Sequence, residues 1–362
     1  MESCESAASE APQARRCEMG RKSVRNKKQP RGCLGRFLLF LVVVEGLILA
    51  AGIGAFVYVN SVLDLVERPQ AKNAAIFEKL EDLGESLSGK KDDGIVNILL
   101  IGQDMREGAD HKLADAMILC SINRNTGMMT MCSLMRDMYV QLPDYAGHTG
   151  TKNRINAAYS LGYAWNGDRG GMEMLDQLIL EQFGVEVDYN VEFSFDSFVR
   201  VVDALGGVEL DLTEAEAAYL NKQPNLPDSY TEGSNLLDGE AALIFVRTRH
   251  SSAGDSDFLR TGRQRAVVAA VTEKLRKMDF QQLHSMITDI LPMIYTDMTN
   301  REILSCALKL LPMAADLKIE SQQIPADGTY ENARVEIGGY SAAVLVPDLE
   351  KNKQILMEIC EG

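Results

Sequence analysis

The sequence predicts an α/β fold, a mixed sheet with helices on both faces, set behind a single N-terminal transmembrane helix. Three observations lead there. The 362 residues are 46% hydrophobic and 25% charged, enough apolar content for a full core. Short apolar runs of strand length alternate with segments of helical period through the middle of the chain. Near the start, Phe37 to Val59 forms a run of 23 residues with one charge, Glu45. At 1.5 Å per residue such a helix is about 34 Å long, sufficient for a bilayer core of about 30 Å.

The charge distribution orients that helix. The net charge is −15, yet the first 36 residues carry nine Lys and Arg against four Glu, leaving the rest of the chain at −20. Positive residues stay on the cytoplasmic side, so the remaining chain is expected outside the cell membrane. A signal peptide fits less well, because its apolar part is only about 7–15 residues and starts near the N-terminus. The acidic remainder argues against nucleic acid as a partner, since phosphate backbones need a basic face. Seven Cys without a C-x-x-C pair or Cys/His cluster exclude a zinc ribbon and a disulfide scaffold. The expected organisation is a basic cytoplasmic tail (1–36), the membrane helix (37–59), a polar stalk (60–93), a catalytic domain (94–280) and a C-terminal remainder or small extension (281–362).

Each element has its own signal. Ile95 to Gly102 is a continuous apolar run, a buried strand. Met117 to Asn123 and Met128 to Leu134 are adjacent strands joined by Arg124-Asn125-Thr126-Gly127. Cys120 and Cys132 fall roughly opposite each other across that turn, which allows a cross-strand disulfide, but two buried free thiols are the favoured reading. Helices are expected at Ile155–Leu161 and at Gly171–Phe183, where Met172, Leu175, Leu178 and Ile179 share a face. Asp188–Phe193 reads as a strand, and Phe195–Leu205 as a helix stopped by Gly206-Gly207. Val208–Leu212 is a further strand, Asp238–Val246 a helix or strand, and Phe258–Lys277 a long helix. Strands are expected around Val335 and Val344.

The chemistry lies in the basic residues. From Asp92 to Arg265 there are eleven Arg and only three Lys; from Ala266 onward, three Arg and six Lys. Guanidinium is planar, permanently charged and bidentate toward phosphate, so an Arg-rich stretch points to an oxyanion site. The densest patch is Arg247, Arg249, Arg260, Arg263 and Arg265, with Arg260, Arg263 and Gln264 on one helix face. Intramolecular ion pairs are the alternative for such a patch. Asp104 and Arg106 follow a buried strand, Asp115 precedes the next, and Arg136-Asp137 closes a third; strand ends are where α/β folds place ligands. Two Asp beside Arg suit a Mg²⁺-bound phosphate, because Mg²⁺ takes one or two carboxylates plus substrate oxygens. His111, His148, His250 and His284 stand alone. Ser133 lies in no G-x-S-x-G elbow and no Cys has a His partner, so nucleophilic hydrolysis is disfavoured.

In order, these residues form a recognisable set: Gly102-x-Asp104-x-Arg106, Asp115, Ser133-x-x-Arg136-Asp137-x-Tyr139-Val140, and Arg154-Ile155-Asn156-Ala157-Ala158-Tyr159. Val202-Asp203-Ala204-Leu205-Gly206-Gly207-Val208, Leu237-Asp238-Gly239, Arg247-x-Arg249 and Asp257-x-x-Arg260-x-x-Arg263-Gln264 follow. The set resembles the LytR-CpsA-Psr family of bacterial cell-envelope proteins, from about Asn97 to Lys277. The resemblance implies a three-layer α/β/α sandwich with a hydrophobic tunnel for a polyprenyl chain. It implies a phosphotransferase that moves a glycopolymer, such as wall teichoic acid or capsular polysaccharide, from undecaprenyl diphosphate to peptidoglycan. Asp104 and Asp115 match the carboxylates associated with Mg²⁺, for which Mn²⁺ is a substitute. Arg106, Arg136, Arg247, Arg249, Arg260 and Gln264 match the diphosphate-binding set.

Asp137 and Asp257 are candidates for the general base, and Arg263 is expected to pair with Asp257. Ala114, Ala116, Met135, Leu259 and Arg154 depart from residues common in the family, without removing a charged group. Phe193, Phe195, Phe198, Val199, Val202 and Leu205 suit either a lipid pocket or ordinary core, and the second is favoured by their spacing. Hydrolysis of the same lipid diphosphate, or non-catalytic binding of the lipid carrier, are the alternative functions.

Overall fold

The computed structural model describes residues 57–68, 94–103, 112–145, 147, 149–248, 257–278, 280–310, 313 and 316–361. The cytoplasmic tail, the membrane run before Val57, most of the stalk, and Asp104, Arg106 and Arg249 lie outside them. No helix among the described residues is long and apolar enough to cross a membrane.

A six-stranded mixed sheet organises the chain. Its strands are β1 (Ile95–Gln103), β2 (Ala114–Asn123), β3 (Met128–Leu134), β6 (Tyr189–Ser194), β9 (Tyr295–Thr296) and β10 (Lys318–Ile324), in the order β10-β3-β2-β1-β6-β9. β1, β2 and β3 pair antiparallel, whereas β1–β6 and β3–β10 are parallel. Because side chains alternate along a strand, each strand feeds both faces. Leu99, Ile101, Met117, Leu119, Cys132 and Leu134 face a core shared with α1 (Asn156–Phe183) and α8 (Leu349–Glu361). Ile118, Cys120, Ile122, Met129 and Met131 face the other side, where Val268 and Ala269 of α5 (Asp257–Lys277) and Leu310 of α7 (Asn300–Leu310) pack.

That alternation also settles the cysteines. The register pairs Leu119 with Cys132 and Cys120 with Met131, so the two thiols point to opposite faces. Both are free and buried.

The two helices expected between 155 and 183 are the two arms of α1, which breaks at Asn166 and Gly167, the latter at φ +69°. The arms cross tightly: a Cβ on Gly162 would lie 2.0 Å from the carbonyl of Gly170, and one on Gly171 would strike the Tyr159 ring. On the opposite face a smaller assembly covers the sheet, built from α2 (Phe195–Ala204), β7 (Val208–Leu212), α3 (Glu214–Leu220), β8 (Gly233–Leu237) and α4 (Gly239–Arg247). The segment left open between helix and strand at 238–246 is thus helical, N-capped by the Asp238 side chain on the Ala241 N–H. The Asp203 and Leu237-Asp238-Gly239 motifs meet here. The Asp203 carboxylate accepts from the Gly239 N–H at 2.7 Å, and a Cβ on Gly239 would lie 2.3 Å from the Val199 carbonyl.

The short strands β4 (Tyr139–Gln141) and β5 (Lys152–Arg154) pair antiparallel, and α6 (Phe280–Ile290) follows α5. Two further pieces complete the unit. The C-terminal stretch supplies β10 to the central sheet and the hairpin β11 (Tyr330–Ile337)–β12 (Tyr340–Pro347). The described part of the stalk, 60–68, is tied down: the Thr296 N–H donates to the Glu67 carbonyl, and Arg68 donates to the Met298 carbonyl and to Asn300 Oδ1.

Candidate active site

A cavity of about 360 Å³ opens between the sheet and the smaller assembly. Its floor is the end of β1 and the start of β2. The register there slips between Gly102 and Gln103, pairing Gly102 with Ala116 and Gln103 with Ala114, so Asp115 is the extra residue of a bulge. A bulge re-aims one side chain, and here it delivers Asp115 to the cavity wall. Gly102 is closely packed: a Cβ there would sit 3.1 Å from that of Ala116 and 3.3 Å from the Phe193 ring.

The walls divide by chemistry. Phe193, Phe195, Phe198, Leu243, Val246 and Val268 make an apolar interior. Arg247, Arg260, Gln264 and Asp115 contribute the polar groups. Arg247 is the last residue of α4, and its guanidinium lies over the Phe195 ring at 4.6 Å. On α5, Arg260, Gln264 and Val268 recur every four residues, so one helix face runs from charge to hydrocarbon. Arg260 is only 3% exposed.

Arg136 reaches the cavity through Asp115, donating to Oδ1 at 2.8 Å. Its Nε lies 3.7 Å from one oxygen of Asp137, while Arg154 approaches the other at 3.3 Å. Asp137 therefore sits between two guanidiniums rather than on the cavity wall. The C-terminal hairpin supports this corner, since Arg154 donates to the Ala343 carbonyl and the Asp137 carbonyl accepts from the Leu345 N–H. Of the predicted set, Asp115, Arg136, Arg247, Arg260 and Gln264 are brought together. Asp104, Arg106, Arg249 and the Asp257 side chain lie outside the described residues.

The Arg patch is divided between two roles. Arg263, expected against Asp257, binds Glu216 at 2.6 Å and the Thr248 carbonyl at 2.8 Å. Burial raises the Glu216 carboxyl, but bonds from Arg263 and Thr213 outweigh it and hold the group below its ordinary value. Arg265 donates to the buried Ser133 hydroxyl at 2.7 Å, and burial lowers its pKa. Sequence reasoning under-weighted Phe193, Phe195 and Phe198 and passed over Tyr219, which also lines the cavity. The usable signal was their place at the β6–α2 junction, a strand end. Val202 and Leu205, from the same group, are core.

Behind the cavity, on the α1 face, lies a second polar cluster. The Tyr159 hydroxyl meets Glu192 at 2.5 Å and Asp168 at 3.1 Å, and Asp168 pairs with Lys112. Burial, then the charge of Asp168, pushes Glu192 up to about 7. Nearby, the Asn190 amide donates to Asp176 and Asp297, and burial raises both carboxyls.

The model of the LytR_cpsA_psr family matches residues 59–355. The polyisoprenyl-teichoic acid–peptidoglycan teichoic acid transferase TagT of Bacillus subtilis is 28% identical over 310 residues, covering 84% of this chain and 88% of that protein. The transferase TagU of Oceanobacillus iheyensis, of the same description, is 31% identical over 251 residues, covering 68% and 69%. The solved structure of TagT bound to LIIa-WTA matches with a TM-score of 0.56 and 25% identity, covering 76% of this chain and 95% of that one.

Proposed function

Because the chain belongs to the LytR_cpsA_psr family, we propose that it is a transferase moving a glycopolymer from a polyprenyl-diphosphate carrier to peptidoglycan. The observation that carries this reading is the cavity itself: hydrocarbon walls beneath a rim of Arg247, Arg260 and Gln264 suit a lipid joined to a diphosphate. The polyprenyl chain enters between Phe193, Phe198 and Val268, and the diphosphate remains at the guanidinium rim. Arg136, Arg249 and Arg106 complete the set in this reading.

In the reaction, a peptidoglycan sugar hydroxyl attacks the glycan-side phosphorus. A new phosphorus–oxygen bond forms, the bond to the bridging oxygen breaks, and the lipid monophosphate leaves. The hydroxyl proton passes to a carboxylate at the mouth. The arginines act by position and charge, stabilising the leaving phosphate and the charge growing on the transferred group. Asp137, flanked by Arg136 and Arg154, orients Arg136. Mg²⁺, with Mn²⁺ as substitute, fits the donor set: Asp115 offers a hard oxygen at the rim and Asp104 follows β1, so these two would hold it, where it supplies charge neutralisation at the diphosphate. The protein is anchored through 37–59 with its N-terminus cytoplasmic and its catalytic domain outside the membrane.

The test uses the full-length chain in detergent with a short-chain polyprenyl-diphosphate oligosaccharide, Mg²⁺ and peptidoglycan fragments. Sugar-phosphate on the fragments, lost on chelation or in Asp115→Ala, is the expected result. Lipid phosphate released to water alone would make the protein a diphosphate hydrolase; Mg²⁺-dependent binding without turnover would make it a lipid-carrier binding protein.

A further inference from the structure

We infer that Arg263 and Glu216 form a positioning pair that sets the spacing of the arginine rim; the inference rests on the transferase reading above. Arg263 stands one turn from Arg260 and next to Gln264, yet it turns away from the cavity and is 6% exposed. Its guanidinium ties its own helix to two others, α3 and α4. Nε donates to Glu216 Oε1 on α3 at 2.6 Å, Nη1 donates to the Thr248 carbonyl at 2.8 Å, and its plane lies 5.9 Å from the Phe245 ring of α4.

Each contact governs a cavity residue. Thr248 follows Arg247, so the carbonyl held by Arg263 fixes the direction in which the chain leaves α4 and hence the placement of the Arg247 guanidinium. Glu216 lies one turn before Tyr219, a wall residue. Its other oxygen, Oε2, accepts from the N–H and hydroxyl of Thr213, completing a capping box that anchors α3. Arg263 itself rides on the helix that carries Arg260 and Gln264. One buried fork thus sets the distance between the α4 and α5 arginines, the distance a diphosphate must match. Lysine can keep the charge but not the two divergent bonds.

The experiment compares wild type, Arg263→Lys, Glu216→Gln and the double variant, all full length. Glu216→Gln keeps the capping box, because Gln serves at that position. Arg263→Lys should lower kcat for transfer by about tenfold or more, as misplacement of catalytic groups does. Glu216→Gln should follow in the same direction, the lipid-donor KM should move little, and the double variant should be no worse than Arg263→Lys, as one coupled unit requires. A second readout is independent of transfer: the preference for inorganic pyrophosphate over inorganic phosphate, by thermal shift with Mg²⁺, should be present in wild type and collapse in both single variants. Wild type that prefers pyrophosphate but transfers nothing would remove the parent reading and leave this one standing. Single variants that keep both kcat and the pyrophosphate preference would overturn it, as would losses that simply track lowered melting temperature.

Discussion

The two faces of the central sheet handle charge in opposite ways. Toward α5, the chain lines a cavity with the exposed Arg247 and the buried Arg260, and the space beneath them with phenylalanine. Toward α1, it buries carboxyls: Glu192 is 3% exposed, and Asp176 and Asp297 share the amide of Asn190. One strand serves both. On β6, Phe193 enters the cavity while Glu192, one residue earlier, meets Tyr159. Alternation along the strand keeps the acids from neutralising the basic rim, though they are neighbours in sequence.

The faces also differ in protons. The Tyr159 hydroxyl has one hydrogen and two carboxyl neighbours. It lies within donating distance of both, 2.5 Å from Glu192 and 3.1 Å from Asp168, and Asp168 is paired with Lys112. Burial and the charge of Asp168 raise the Glu192 carboxyl to about 7, against the bond donated by Tyr159, which lowers it. On the cavity side the polar groups are the cations of Arg247 and Arg260, the Gln264 amide, the Tyr219 hydroxyl and the Asp115 carboxyl.

The comparison can be broken first at the rim. Arg247→Ala should reduce transfer by about 10²–10³-fold, the cost of removing one preorganised donor, with the melting temperature nearly unchanged because the residue is exposed; turnover assays and calorimetry on one preparation check both. The α1 face should respond in stability instead. With its folded pKa near 7 against an ordinary 4.5, Glu192 holds a proton in the folded state that the unfolded chain has released. Its stabilising effect is complete below pH 4.5 and fades as pH rises to 7, a loss of up to about 3 kcal/mol at 1.36 kcal/mol per unit. Urea unfolding at pH 5 and pH 8 should show this slope in wild type and a flatter one in Glu192→Gln. The smallest expected effect sharpens the division within the cavity. Phe195→Ala removes the ring under Arg247, worth about 0.5–1 kcal/mol, so lipid-donor affinity should fall about two- to fivefold; titration with the donor checks it.

Sequence reading reached most of this where the signal was local. The apolar runs that became β1, β2 and β3 carried their own boundaries, and the two expected helices of 155–183 correspond to the arms on either side of Asn166–Gly167. Arg260 and Gln264 were legible as one helix face. What escaped depended on contacts between distant segments. Cys120 and Cys132 looked opposed because the turn did not reveal a register in which they alternate to different faces. Arg263 was expected beside Asp257, whose side chain lies outside the described residues, and its 2.6 Å bond to Glu216 in another element had no local signal. Phe195 and Phe198 have the three-residue spacing of any buried helix face, which does not distinguish a filled core from a wall with nothing packed against it.

The parallel pairing of β10 with β3 bears on the order of folding. A chain synthesised from its N-terminus forms the β1–β2–β3 meander early, from contacts close in sequence, but β3 keeps an open edge until nearly the whole chain has emerged. The hairpin that braces Asp137 and Arg154 follows β10 and arrives later still. The corner of the site built on Arg136 is therefore assembled last, so an incomplete or C-terminally clipped molecule would carry the scaffold without its finished chemistry, and an exposed strand by which quality control could find it.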